Sequence, residues 1–155
     1  MSVQIKLAPP LPEEMSERLE ELKQSFRNEP ILVTPIIFGF TLESLEFGRA
    51  VLTMKVTEGM LVGGKGIVNG GIMDTLGNTA SVYAAMSMVP SGHMPRMNFT
   101  VTNLRKAFGG ETLKAIAEGI ADIGSSVVVN FRIFREDHPE DLKVVGRGQY
   151  HKPKE

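Results

Sequence analysis

One acidic side chain stands alone in the middle of the chain. Asp74 is the only charged residue in the segment 67–92, and it follows the paired glycines Gly70 and Gly71. The pattern predicts a helix that Asn69 caps and that the two glycines open. Because glycine is a poor helix former, two in succession indicate that another group approaches the backbone there. The free N–H groups and the positive end of the helix dipole would attract an anion or a polarised carbonyl oxygen.

The helical phase gathers the polar side chains of this segment on one face. At about 100° per residue, Asp74, Asn78 and Ser81 lie on the same side as Gly71. A solvated face would usually carry lysine and glutamate, so we expect this face to be covered by something polar or by a partner subunit. An apolar stripe on another side is expected to face a sheet. It consists of Ile72, Met73, Leu76, Ala80, Tyr83 and Ala84.

The helix and strands predicted on either side of this central helix indicate an α+β domain. An amphipathic helix at 13–27 precedes two strand-like runs joined by a turn at 46–49, and the central helix is expected from 69 to about 88. After it, a polar loop is expected at 136–142. The connections are too short for parallel crossovers, so we predict a curved antiparallel sheet of five to six strands around the central helix. The later strands are expected at 96–105, 111–123, 126–135 and 143–152.

Length, composition and charge exclude several classes of function. The 155 residues suit an N-terminal extension with a helix (1–30) and one domain (31–155). A net charge of −1 argues against a dedicated nucleic-acid binder. No apolar run approaches the roughly 20 residues of a membrane span, and no signal-peptide pattern opens the chain, so we expect a cytoplasmic protein. Without cysteines, and with His93, His138 and His151 not at metal-ligand spacing, we expect no metal.

Two glycine-rich patterns before the helix match nucleotide-binding motifs only in part. Residues 59–65 fit G-x-x-x-x-G-K, but Gly66 stands where a P-loop needs Ser or Thr. Residues 64–70 have one residue too many for G-x-G-x-x-G, and no parallel β-α-β unit surrounds them. The sequence therefore does not favour nucleotide binding of either kind.

Around the central helix the sequence resembles the hotdog-fold thioesterases, especially the PaaI-like and 4-hydroxybenzoyl-CoA thioesterase branch. In that pattern His-Gly-Gly opens the central helix, and an acidic residue follows nine positions after the His. The hairpin LESLEFGRAVLTMKV (42–56) and the strands of RKAFGGETLKAIAEGIADIGSSVVVNFRIF (105–134) resemble the strands on either side of the motif. The resemblance spans 39–150 and implies a hotdog fold, a sheet wrapped around one long helix. It also implies a homodimer with active sites between subunits, often paired into a homotetramer.

The resemblance implies roles for individual residues, with three departures. Gly71 matches the glycine whose N–H polarises the thioester carbonyl. Asn69 stands in place of the His, Asn78 in place of the acidic residue, and Gly63 in place of a frequent Asn. An amide cannot act as a general base. The helical phase, rather than the family pattern, suggests that Asp74 supplies the missing carboxylate while Asn78 orients the water. Alternatively, Asp74 has no catalytic role, and its negative charge is only stabilised by the positive end of the helix.

Substrate contacts are expected around the same helix. Gly70 and Ser81 border the polar face, and Arg96 stands where some members of the family carry a Ser. Arg105 and Lys106 form a cationic pair that could bind the phosphates of coenzyme A.

Three functions fit these residues. The first is acyl-CoA thioester hydrolysis, with coenzyme A as part of the substrate and no separate cofactor. The second is a non-catalytic protein that binds acyl-CoA or another acyl ligand, which the missing acid at Asn78 favours. The third is a hydratase of the same fold, but the Asp/His motif of such enzymes is absent from the sequence.

Overall fold

The computed structural model describes residues 12–28, 35 and 38–153. Within them the helices are α1 (Pro12–Asn28) and α2 (Gly70–Met86), and a short 3₁₀ turn spans Glu58–Met60. The predicted domain boundary near residue 30 lies outside the described residues. The strands are β1 (Thr41–Glu46), β2 (Arg49–Lys55), β3 (Leu61–Val62), β4 (Ile67–Val68), β5 (Arg96–Asn103), β6 (Thr112–Asp122), β7 (Ser126–Arg135) and β8 (His138–His151).

Six of these strands form one antiparallel sheet in the order β1-β2-β6-β7-β8-β5. The predicted number of strands, the antiparallel pairing and the β1–β2 hairpin are therefore confirmed. The expected loop at 136–142 is wrong, because β8 begins at His138 and pairs with Arg135. Its polar side chains fit a strand because every residue from 138 to 142 is at least partly exposed. The small β3–β4 ladder was not predicted.

Helix α2 packs on one face of this sheet, as the apolar stripe predicted. Leu76, Ala80 and Tyr83 are completely buried. The helix comes very near the sheet at Gly77, where a Cβ atom would lie 2.3 Å from the ring of Phe131 on β7. Only glycine lets the helix and strand come this close, so Gly77 fixes the height of α2 above the sheet.

Helix α1 closes the C-terminal end of α2. Its buried residues Leu22 and Phe26 face the core, and the ring of Phe26 meets that of Tyr83 edge-on at 5.1 Å. The buried guanidinium of Arg18 donates from Nε to the carbonyl of Met86 (3.0 Å) and from Nη2 to that of Gly92 (2.7 Å). A cation is favoured there because helix carbonyls at a C-terminus lack intrahelical donors.

Replacing Arg18 with Met should lower the free energy of unfolding by about 1.5–3 kcal/mol, because it removes hydrogen bonds from a charged donor to buried carbonyls. Arg27→Met on the same helix is the matched control, since Arg27 is exposed. Urea denaturation of both variants measures the difference. Equal unfolding midpoints for the two variants would show that Arg18 does not secure the end of α2.

In the described part of the chain, no helix has the length and apolar character needed to cross a membrane. The cytoplasmic location expected from the sequence stays a prediction.

Candidate active site

The opening of α2 is exposed and its backbone is accessible. A Cβ atom on Gly70 would meet nothing within 4 Å, and one on Gly71 would meet only Oδ1 of Asn69, at 3.3 Å. Asn69 is the N-cap, as predicted, and its Oδ1 accepts a hydrogen bond from the N–H of Gly71 at 2.9 Å. The donor that the resemblance assigns to a thioester carbonyl is therefore already bonded. A substrate oxygen must share this N–H group or displace the Asn69 side chain.

Backbone hydrogen bonds fix the start of α2 from two sides. Asn69 donates to the carbonyl of Met60 (2.9 Å), which ends the 3₁₀ turn. Val68 donates to the carbonyl of Ala107 (2.9 Å), in the segment that follows β5. The helix opening is consequently held between the turn before β3 and the segment 104–110.

Asp74 lies one turn into α2 and is half-buried. Its Oδ1 is buried and accepts no hydrogen bond within the described residues. Burial raises the pKa of this carboxyl above its ordinary value of 3.8. A carboxylate of raised pKa is a stronger base than an exposed one, so Asp74 has the electrostatic character that a general base needs.

Asn78 and Ser81 meet a tyrosine that the sequence reasoning missed. Tyr150 on β8 is completely buried, and its hydroxyl donates to Oδ1 of Asn78 at 3.0 Å. Burial raises the pKa of Tyr150, while the Ser81 hydroxyl and the positive charge of Arg96 act in the opposite direction. Ser81 is also completely buried, so the polar cover expected for this part of the helix includes Tyr150 of the same chain. Asp74 and Asn78 remain half-buried.

Arg96 begins β5 directly opposite Tyr150 in the β5–β8 pairing. It is exposed, and its guanidinium lies over the ring of Phe99 at 4.9 Å from the centroid. Arg96 therefore lies next to the tyrosine that bonds Asn78, and its role toward substrate stays a prediction.

The side chains of Arg105 and Lys106 differ in how far hydrogen bonds hold them to the protein. Nη1 of Arg105 donates to the carbonyls of Glu140 (3.2 Å) and Leu142 (3.3 Å), which ties this side chain to β8. Lys106 is exposed and precedes Ala107, whose carbonyl binds the strand that leads into α2. Lys106 is thus the better placed of the two for an anion near the helix opening.

Beneath this segment lies a buried lysine that the sequence reasoning also missed. Nζ of Lys143 donates to the carbonyl of Lys106 (2.9 Å) and forms ion pairs with Asp141 (2.8 Å) and Glu111 (3.2 Å). Its hydrogen bond is the largest cause that lowers the pKa of Asp141. Lys143 therefore anchors the segment 104–110 from below.

No cluster of three or more His, Cys, Asp or Glu side chains that could hold a metal ion occurs within the described residues. His138 contacts Glu140 at 3.0 Å at the start of β8, and His151 ends that strand. A concavity of about 450 Å³, lined among others by Glu118, Arg132 and Arg147, includes no residue of α2.

The sheet order, the central helix and the Asn-Gly-Gly opening together define a hotdog fold. The hotdog fold that the resemblance implied is confirmed by solved structures of similar fold. The PaaI protein of E. coli, from the phenylacetic acid degradation operon, is 24% identical with a TM-score of 0.77, and the match covers 94% of this chain and 97% of that chain. Thioesterase superfamily member 2 of zebra fish is 22% identical with a TM-score of 0.75, covering 86% and 96% respectively.

A Streptococcus mutans protein bound to acetyl CoA is 19% identical with a TM-score of 0.65, and the match covers 72% of this chain and 86% of that chain. No protein-family model and no curated protein sequence matches the chain. At these levels of identity the similarities show the fold, and the activity has to be argued from the residues of the site.

Proposed function

We propose that the protein is an acyl-CoA thioesterase. The observation that carries the proposal is Asp74, a half-buried carboxylate with an unpartnered oxygen and a raised pKa, one turn from the opening of α2. Solved structures of the same fold include a protein named as a thioesterase superfamily member and a protein with bound acetyl CoA, which supports this class of substrate.

In the proposed reaction, water attacks the carbonyl carbon of the thioester. Asp74 accepts a proton from the water as the new C–O bond forms, and Asn78 holds the water in place. The negative charge that develops on the carbonyl oxygen is stabilised by the N–H of Gly71 and by the positive end of α2. The C–S bond then breaks, and the proton held by Asp74 passes to the sulfur of coenzyme A, which leaves a free carboxylic acid.

A second function, binding of acyl-CoA without hydrolysis, is favoured by a different observation. The Gly71 N–H group is already bonded to Asn69 at 2.9 Å, and the family's acidic position is occupied by Asn78. If Asn69 keeps that donor, the carbonyl oxygen gains little stabilisation and the thioester persists.

A panel of acyl-CoA esters, assayed for release of free thiol, separates the two functions. Binding of a non-hydrolysable thioether analogue is measured in parallel by calorimetry. We expect thiol release from at least one acyl class at a rate well above the uncatalysed one. Tight binding of the analogue with no release from any ester would leave the binding protein as the function.

The free charge at Lys106 makes it the expected contact for a phosphate of coenzyme A. Lys106→Glu should weaken binding of the thioether analogue about tenfold, since exchanging attraction for repulsion near the surface amounts to about 1.4 kcal/mol. Arg105→Glu should weaken it less, because that guanidinium is already bonded to two carbonyls. Arg27→Glu on α1 controls for net charge, and a loss of affinity equal to the control would refute this contact.

We also propose that two copies of the chain associate to complete the site. Strand β5 is an edge of the sheet, most of its side chains are exposed, and Met97 and the nearby Leu104 are 47% and 49% exposed. An unpaired edge with exposed apolar side chains is commonly covered by another strand. Light scattering should therefore return at least a dimer of the 17.0 kDa chain at micromolar concentration. A monomer under those conditions would exclude this assembly.

A further inference from the structure

The Tyr150 side chain reaches α2 because its strand leaves room for it. Residues 146, 148 and 150 alternate onto the same face of β8, and the residue before Tyr150 on that face is Gly148. A Cβ atom at Gly148 would lie 2.6 Å from both Cε2 and the hydroxyl oxygen of Tyr150. The phenol therefore lies back along the strand over this glycine, and its hydroxyl arrives at Oδ1 of Asn78.

The environment decides which end of the Asn78 amide faces Tyr150. Burial raises the pKa of the phenol, so Tyr150 keeps its proton and can donate it to an amide oxygen. In the opposite orientation Oδ1 of Asn78 would take the place of Nδ2 on the helix face that Asp74, four residues earlier, shares. An amide oxygen on that face would be repelled by the Asp74 carboxylate, whereas the Nδ2 group can donate toward it. The donating Tyr150 and the acidic Asp74 consequently select the same orientation.

In this orientation two unfilled hydrogen-bonding groups of opposite kind remain one helical turn apart. Nδ2 of Asn78 donates to no group within the described residues, and Oδ1 of Asp74 accepts from none. A water molecule between them can accept from the amide and donate to the carboxylate, which directs an oxygen lone pair away from both.

We propose that Tyr150 is a positioning residue that holds the Asn78 amide with Nδ2 toward Asp74, so that Asn78 binds the attacking water only as a donor. The proposal rests on the thioesterase function proposed above. Tyr150 itself touches neither the water nor the thioester, and Gly148 is the residue that allows its reach.

Kinetics of Tyr150→Phe measure the consequence. Loss of one neutral hydrogen bond that fixes the amide should lower kcat about tenfold and leave KM nearly unchanged. Tyr83 is on α2 rather than β8 and is as completely buried as Tyr150. Tyr83→Phe therefore removes a buried phenol hydroxyl away from Asn78 and should leave kcat unchanged. Gly148→Ala, which keeps the hydroxyl but displaces the ring, should lower kcat as Tyr150→Phe does.

A titration independent of turnover tests the contact itself. In Asn78→Asp, Tyr150 would donate to the new carboxylate and lower its pKa, so adding Tyr150→Phe should raise that pKa. Carbon-13 NMR of the carboxyl carbon follows it directly. Among the described residues, the titratable and charged groups on the elements around position 78 are Asp74 on α2, Tyr150 on β8 and Arg96 on β5, whose charge acts on Tyr150. All but Tyr150 are unchanged between the two proteins.

The outcomes distinguish this inference from the proposed function. If the wild type releases thiol and Tyr150→Phe retains full kcat, or if the carboxyl pKa does not move, the positioning role is wrong. If the wild type releases no thiol from any ester, the thioesterase proposal and the water-holding role fall together. The NMR titration then still shows whether Tyr150 orients the side chain at position 78.

Discussion

Replacing Asp74 with Asn should lower the rate of acyl-CoA hydrolysis by about 10²–10⁴-fold, the usual contribution of a general base. KM should change little, because the amide has the shape of the carboxylate and only loses the ability to accept the proton. Asp137→Asn is the matched control, since it makes the same change at an exposed carboxylate. Thiol release is measured at saturating and at limiting substrate. Turnover that survives Asp74→Asn would remove this residue from the mechanism.

The same replacement should stabilise the folded protein at neutral pH. Burial raises the folded-state pKa of Asp74 above 3.8, so between the unfolded and the folded pKa the native state holds a proton that the unfolded chain has released. The free energy of unfolding therefore falls as the pH rises through this window. Asn carries no such penalty. Urea denaturation should show Asp74→Asn as more stable than the wild type at pH 7 and equal to it below about pH 3.

Asn78→Asp tells the two functions apart in the same assay. For a thioesterase it restores the acidic position of the family and should raise the rate, unless its repulsion with Asp74, one turn away, perturbs both carboxyl groups. For a binding protein, turnover would be absent in the wild type and would arise only in Asn78→Asp. Asp74→Asn lowers activity in the first case and has no activity to lower in the second.

Helical periodicity gave the fold its clearest sequence signal. The phase of Leu76, Ala80 and Tyr83 predicted a central helix against a sheet, because a period of 3.6 residues is visible within a short segment. The hairpin turn at Glu46 and Arg49 was predictable for the same reason, because its signal depends only on neighbouring residues. The start of β8 was missed because its polar residues resemble a loop, and only the pairing with β7 shows that they form a strand.

The site was predictable where it depends on one helix and not where it depends on contacts between distant residues. The shared face of Gly71, Asp74 and Asn78 follows from spacing alone. The contact of Tyr150 with Asn78 joins residues 72 positions apart, and it requires a glycine that no motif marks. The bond from Gly71 to Asn69 was likewise not predicted, because an N-cap side chain can accept from the N–H of either the second or the third helical residue.

Lys143 provides the second large effect that we expect, and it concerns stability. Lys143→Met should lower the free energy of unfolding by about 3 kcal/mol, because it removes the cation that Asp141 and Glu111 share and leaves the Lys106 carbonyl without its donor. Of its ion pairs in the described part of the chain, Asp141 would keep only the one with Arg135, at 3.9 Å. The lower end of the range for broken buried pairs applies since both carboxylates are partly exposed. Urea denaturation at pH 7 measures the change.

Lys114→Met is a close control, because Lys114 also pairs with two carboxylates, Glu43 at 3.0 Å and Glu136 at 4.0 Å, both of which are exposed. It should cost about 0–1 kcal/mol. Equal costs for the two lysines would show that burial of Lys143 contributes nothing.

The Lys143 cluster also links stability to the site. Its bond to the Lys106 carbonyl holds the segment whose next residue, Ala107, binds Val68 at the start of α2. Lys143→Met should therefore weaken binding of the thioether analogue at a temperature where the variant is still folded, whereas Lys114→Met should not. Adding Asp141→Asn and Glu111→Gln should recover part of the stability by removing the unpaired charges, but not the affinity, because the carbonyl of Lys106 still lacks its donor. Recovery of both together would mean that charge repulsion, rather than the lost anchor, moves the helix opening.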